Sequence, residues 1–80
     1  MATRANLAEK ERFLSLVRQM RVDAGLRQAD LARKLGESQS FVSRYESGER
    51  RLDVLELRRI CGALGVSLAD FIKRLEGDSR

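Results

Sequence analysis

The stretch Ser38–Arg51, SQSFVSRYESGERR, places four serines, three arginines and two aromatics in fourteen residues. Ser38 is a good helix N-cap, because its hydroxyl can accept a bond from a first-turn N–H. Gly48 can close the same helix in a left-handed conformation. Wound at about 100° per residue from Gln39, Ser43 falls near 40°, Ser47 near 80°, Ser40 near 100° and Arg44 near 140°. On the same wheel Val42, Tyr45 and Glu46 lie at about 300°, 240° and 340°, with Phe41 on the boundary near 200°. The segment is a short helix with one polar arc (Gln39, Ser40, Ser43, Arg44, Ser47) opposite an apolar anchor (Val42, Tyr45).

Small and amide side chains on that arc let the helix backbone approach another surface closely, and their groups both donate and accept. Such a helix suits the major groove. Gln pairs bidentately with adenine, Arg with guanine, and Ser bonds several base edges. Arg50 and Arg51 follow the helix, placed to reach phosphates. The arc alone fits an ordinary solvated face equally well. What tips the balance is the short helix before it, Gln28–Leu35, joined through Gly36 and Glu37. Two helices so joined form the helix-turn-helix arrangement.

Outward from this pair the periodicity stays helical. A first helix is expected over roughly Ala8 to Ala24, with Phe13, Val17, Met20 and Ala24 inward, Leu7, Leu14 and Arg21 beside them, and Leu16 and Val22 as surface apolars. In the second helix Ala29, Leu31, Ala32 and Leu35 face in. Asp53 caps a fourth helix and Glu56 completes a capping box; Val54, Leu57, Ile60, Cys61 and Leu64 share its inner face. Ser67 caps a fifth, with Leu68, Phe71, Ile72 and Leu75 inward. The tail from Glu76 to Arg80 is expected to fray. The fold class is therefore all-α: five helices in a single domain spanning 1–80, ordered over about 8–75.

Composition bounds the chemistry. The chain has 80 residues, no Pro, no His, one Cys and a formal net charge of +4. The excess is local: residues 1–36 hold eight Lys/Arg against four Asp/Glu, while 37–52 and 53–80 each balance. A basic excess on one part of the surface suits a polyanion. Without His, a triad or His-based acid–base catalysis is excluded, and a lone Cys forms no internal disulfide and no zinc site. Cys61, among Leu57, Ile60 and Leu64, reads as buried core rather than a redox sensor. No metal or cofactor is expected. The N-terminal stretch lacks the apolar run of a signal peptide, and no run approaches the ~20 residues of a membrane span. A cytoplasmic, nucleoid-associated protein is the expectation.

The stretch Leu26–Arg51, LRQADLARKLGESQSFVSRYESGERR, resembles the helix-turn-helix of the phage repressor/Cro-like, or Xre-type, DNA-binding regulators. The matching features are Gln28 at the helix start, then Ala29, Leu31 and Ala32. Gly36 follows in the turn, then Ser38, the Val42–Ser43 pair, Glu46 and Gly48. ALGVSLADF (Ala63–Phe71) resembles the joint between the family's last two helices. In size and plan the chain is similar to stand-alone members such as restriction–modification controller proteins. The resemblance implies a non-enzymatic regulator of transcription that binds double-stranded DNA as a homodimer on a two-fold operator. By position it implies base contacts from Gln39, Ser40, Phe41 and Arg44 with Ser43 close by, and phosphate contacts from Gln28, Ser47, Arg50 and Arg51. Phe41 suits either a thymine methyl or plain packing. An ion pair between Arg21 and Glu46, partly buried, is implied to tie the third helix to the scaffold.

Three positions depart from the pattern. Arg27 stands where the family prefers a capping Ser or Thr; it weakens the cap but adds a cation beside the phosphates. Glu49 stands where Lys or Arg is common. Arg58 gives the fourth helix a more polar flank. The dimer interface is expected around Leu55, Leu68, Ile72 and Leu75, with Leu16 as an outlying candidate. The alternative function is an antitoxin that binds a toxin protein and regulates its own gene through the same helices.

Overall fold

The computed structural model describes residues 4–77. Along them run α1 (Arg4–Asp23), α2 (Gln28–Leu35), α3 (Gln39–Ser47), α4 (Val54–Ala63) and α5 (Leu68–Glu76). Helices are the only regular structure among the described residues, as composition and periodicity predict.

Each start that carries a cap lies at its predicted residue. The Ser38 hydroxyl accepts from the Phe41 N–H at 3.2 Å, and that of Ser67 from Asp70 at 3.0 Å. The capping box of α4 is complete, with Asp53 accepting from the Glu56 N–H and Glu56 from the Asp53 N–H. The helix stops are equally local. Gly36 and Gly48 adopt φ of +68° and +85°, conformations that cost an L side chain. Beyond them the Glu37 N–H reaches back to Ala32 and the Glu49 N–H to Arg44, satisfying carbonyls the helices leave open.

The core comprises Val17 and Met20 of α1, Leu31, Ala32 and Leu35 of α2, Val42 and Tyr45 of α3, Leu57, Ile60 and Cys61 of α4, and Phe71 of α5. Phe13 meets Phe71 edge-on with centroids 5.8 Å apart, joining α1 to α5. Polar contacts add to this frame. Arg12 donates to the carbonyls of Arg74 and Leu75 at the end of α5, and Arg59 to that of Leu35 at the end of α2. α3 packs against both α1 and α2, with one side left to solvent.

Six expectations are corrected. Ile72, expected to face inward on α5, is exposed, because it sits off the Phe71 face that meets the core. α1 begins at Arg4, a full turn before Ala8, because Arg4, Ala5 and Leu7 are good helix formers and no Gly or Pro breaks the run. Ala24 lies beyond the last helical residue and is exposed. Val54 is 62% exposed, since the first residue of α4 projects away from the core. Leu16 packs against the core cluster rather than lying free on the surface. Glu76 belongs to α5, which ends at Gly77; residues 78–80 of the expected frayed tail lie outside the described residues.

Candidate nucleic-acid interface

α3 presents Gln39, Ser40, Ser43, Arg44 and Ser47 to solvent and buries Val42 and Tyr45. The polar arc drawn from sequence is thus a real exposed surface. Phe41 is half-buried at its border, edge-on to Tyr45 at 5.5 Å. Burial pushes the Tyr45 phenol up, and its hydroxyl has no hydrogen-bond partner among the described residues. The phenol therefore serves the fold as an apolar anchor.

Beneath the arc, Glu46 is the polar anchor. Arg21 donates Nε–H to Oε2 at 2.7 Å and Nη2–H to Oε1 at 3.0 Å, a bidentate pair. The side chains are only 10% and 4% exposed. Arg21 also donates Nη1–H to the Leu26 carbonyl at 2.8 Å, binding the end of α1 to the α1–α2 turn. Its hydrogen bond to Glu46 raises the guanidinium's pKa, more than burial lowers it. Gln28 adds a third donor to Glu46, Nε2–H to Oε1 at 3.1 Å. So the residue expected to hold a phosphate is also linked to the buried pair. One amide hydrogen and the amide oxygen of Gln28 are not used by Glu46.

Arg27 opens α2 without serving as its cap, since a guanidinium only donates. Asp30 supplies the missing acceptor. Its carboxylate takes the Arg27 backbone N–H at 2.9 Å, the Arg27 side chain at 3.0 and 2.9 Å, and Arg33 at 3.1 Å. These donors hold the Asp30 carboxyl well below the usual carboxylate range. The Arg27 side chain stays largely in solvent, with its charge partly offset.

The loop after α3 separates the two arginines that sequence paired. Arg51 is exposed and makes no ion pair among the described residues. Arg50 is engaged three ways. It donates to both oxygens of Glu56 at 3.2 and 2.8 Å, and to the Arg51 carbonyl at 2.9 Å. It also covers the Phe41 ring with its guanidinium carbon 4.7 Å from the centroid. The Arg50 bond holds the Glu56 carboxyl down at about 2. Ser47, another expected phosphate contact, donates to the Arg44 carbonyl at 3.0 Å while its oxygen faces the Glu49 N–H at 3.4 Å.

Sequence reasoning found Glu56 as a cap but missed its second role. A capping box is a four-residue pattern, whereas its pairing with Arg50 depends on how the 48–53 loop folds back. Lys10 was missed too: its Cε lies 3.5 Å from where a Cβ on Gly48 would stand. Of the expected interface residues, Leu55 and Ile72 are 67% and 39% exposed. Leu68 and Leu75 are half-buried against the molecule's own core. No group of His, Cys, Asp or Glu able to hold a metal occurs among the described residues. None of their helices is long and apolar enough to cross a membrane.

Residues 17–71 match the helix-turn-helix family. Among solved structures, the chain is similar to an XRE-family like protein from Pseudomonas syringae pv. tomato str. DC3000. The two share 37% identity over 95% of this chain and 93% of that one, with a TM-score of 0.85. The clp gene regulator ClgR from Corynebacterium glutamicum follows at 29% identity over 86% and 88% of the chains, with a TM-score of 0.75. A point mutant of the restriction–modification controller protein C.Esp1396I shares 25% identity over 99% and 95%, with a TM-score of 0.79. No curated protein sequence matches the chain. Fold, motif and relatives agree: the chain belongs to the XRE family of helix-turn-helix proteins and is a DNA-binding transcriptional regulator, not an enzyme.

Proposed function

We propose that α3 lies in the major groove of double-stranded DNA and reads base edges through Gln39, Ser40, Ser43 and Arg44, with Phe41 at the border. The observation that carries this reading is the polar arc itself: five exposed hydrogen-bonding side chains on a helix pinned from behind by Val42, Tyr45 and Glu46. A rigid helix presents these groups at fixed positions, so a wrong base leaves a donor or acceptor unpaired. Around it, Arg27, Gln28, Ser47 and Arg51 contact phosphates and set register. Arg50 contributes with the donors that Glu56 leaves free.

Two copies bind a two-fold symmetric operator, each giving one α3 to a half-site about 34 Å from the next. The α4–α5 face, where Leu55 and Ile72 are exposed, is the surface left for the second copy. In the alternative role, as an antitoxin, the same face takes a toxin protein while α3 still binds DNA.

A randomised duplex library supplies the operator: the protein selects its preferred site, and single-base variants of that site are titrated. Gln39→Ala and Arg44→Ala each cost about 1–3 kcal/mol on the selected site and relax preference at one base pair. Uniform loss on every variant would demote the residue to a backbone contact and remove base reading from α3.

A further inference from the structure

The loop after α3 brings Arg50 over the Phe41 ring and against the Glu56 carboxylate. Phe41 sits where the recognition surface meets the core, half-buried. On one side its ring meets Tyr45, which is fixed in the core. The Arg50 guanidinium lies over the ring, 4.7 Å from the centroid. Arg50 is itself held by two Glu56 oxygens and the Arg51 carbonyl. Glu56 in turn is fixed by the cap of α4, where it accepts from the Asp53 N–H at 3.0 Å. An unbroken series of contacts thus runs from the start of α4 to the border of the DNA-facing arc.

We propose that Arg50 and Glu56 are specificity-setting positioning residues: Glu56 holds Arg50 over Phe41, and this lid fixes the ring edge offered to a base in the groove. The inference rests on α3 being the base-reading helix. A Phe at a helix border has few neighbours of its own, and an uncovered ring can turn about its side-chain bonds. With Tyr45 on one side and a cation on the quadrupolar face, one orientation is favoured. A fixed aromatic edge is an apolar surface of the kind that accepts a thymine methyl. Burying one methyl-sized group corresponds to roughly a fourfold preference. The same geometry explains why Arg50 differs from Arg51. Arg50 spends three of its five donors within the protein, so its main work is orientation and that of Arg51 is phosphate binding.

The test uses the full-length protein and a randomised duplex library, with the bound fraction sequenced for wild type, Glu56→Gln, Arg50→Lys, Phe41→Ala and Gln39→Ala. Glu56→Gln keeps an acceptor for the Asp53 N–H, so α4 stays capped, but removes the charge and the Oε2 acceptor that hold the guanidinium. Arg50→Lys keeps the charge and loses the planar lid, and serves if Glu56→Gln fails to fold. Expected is a loss of about fourfold preference at the same base position in Glu56→Gln, Arg50→Lys and Phe41→Ala, with the remaining positions kept. A weakened fold alone lowers the bound amount without erasing preference at one position. The clamp is overturned if Glu56→Gln and Arg50→Lys retain the wild-type preference everywhere, or lose it where Phe41→Ala does not. If Gln39→Ala and Phe41→Ala leave the selected site unchanged, the reading of α3 fails first. A wild type that enriches no site overturns both.

Discussion

The Arg21–Glu46 pair is a buried charged contact that ties α3 to α1 beneath the polar arc. Taking both groups out of water is costly, and the bidentate geometry with the Leu26 carbonyl and Gln28 offsets that cost. The pair therefore matters most when half of it is lost. Glu46→Ala leaves a guanidinium in a site with little water and should destabilise the fold by about 3–5 kcal/mol, a large share of the stability of a domain this size. Chemical denaturation checks it; a midpoint equal to the parent's would reject the buried pairing. The partners stand 25 positions apart and on different helices. Wheel positions put each beside its apolar face, and family resemblance, not spacing, joined them. The lone pattern from which Arg50 could have been assigned to Glu56 does not exist in sequence, since their meeting is made by the folded loop. That is why Arg50 read as a free phosphate contact beside Arg51.

Among the elements, boundaries were legible wherever a cap or a left-handed stop is written into a few adjacent residues. α3, α4 and α5 start where Ser38, Asp53 and Ser67 satisfy first-turn N–H groups, and α2 and α3 end at Gly36 and Gly48. The start of α1 was not legible in periodicity and lies a turn earlier, at Arg4. The inner faces of α2 and α3 followed from periodicity, whereas Val54 failed because the first turn of a helix need not lie against the core. The two stop glycines also differ in a way only packing reveals. A Cβ on Gly36 would meet nothing within 4 Å, while one on Gly48 would stand 2.9 Å from Leu14 Cδ1, with Lys10 Cε in ordinary contact at 3.5 Å. Gly36→Ala should thus cost about 1 kcal/mol from its positive φ alone. Gly48→Ala should cost roughly 1 kcal/mol more from overpacking, and Leu14→Ala in the same chain should recover part of that increment. Equal midpoints for the two glycine variants would remove Leu14 from the account of how α3 ends against α1.

At the scale of the molecule, five short helices enclose a single core and leave two surfaces of different character. The α3 side is polar, with Arg44, Arg51 and Arg27 exposed. The α4–α5 side exposes Leu55 and Ile72, which this small core does not absorb. On the proposed reading a two-fold regulator requires a self-complementary patch, and this apolar surface is the candidate for it. Leu55→Glu or Ile72→Glu should give a folded monomer that binds the selected site weakly. Sedimentation at micromolar concentration decides it, and a dimer untouched by both substitutions would move the interface elsewhere. Leu68 and Leu75 are poorer tests, because their contacts with the core make any substitution a stability change as well.

The central claim is that α3 and its flanking loops are the DNA surface. Mapping backbone amide shifts of the labelled protein on titration with the selected duplex tests it most directly. The account predicts that the largest changes fall within residues 27–28 and 38–51 and diminish as salt rises, because Lys and Arg displace counterions from phosphate. Largest changes along α1 and α5, with the amides of residues 39–47 unmoved at saturation, would contradict it.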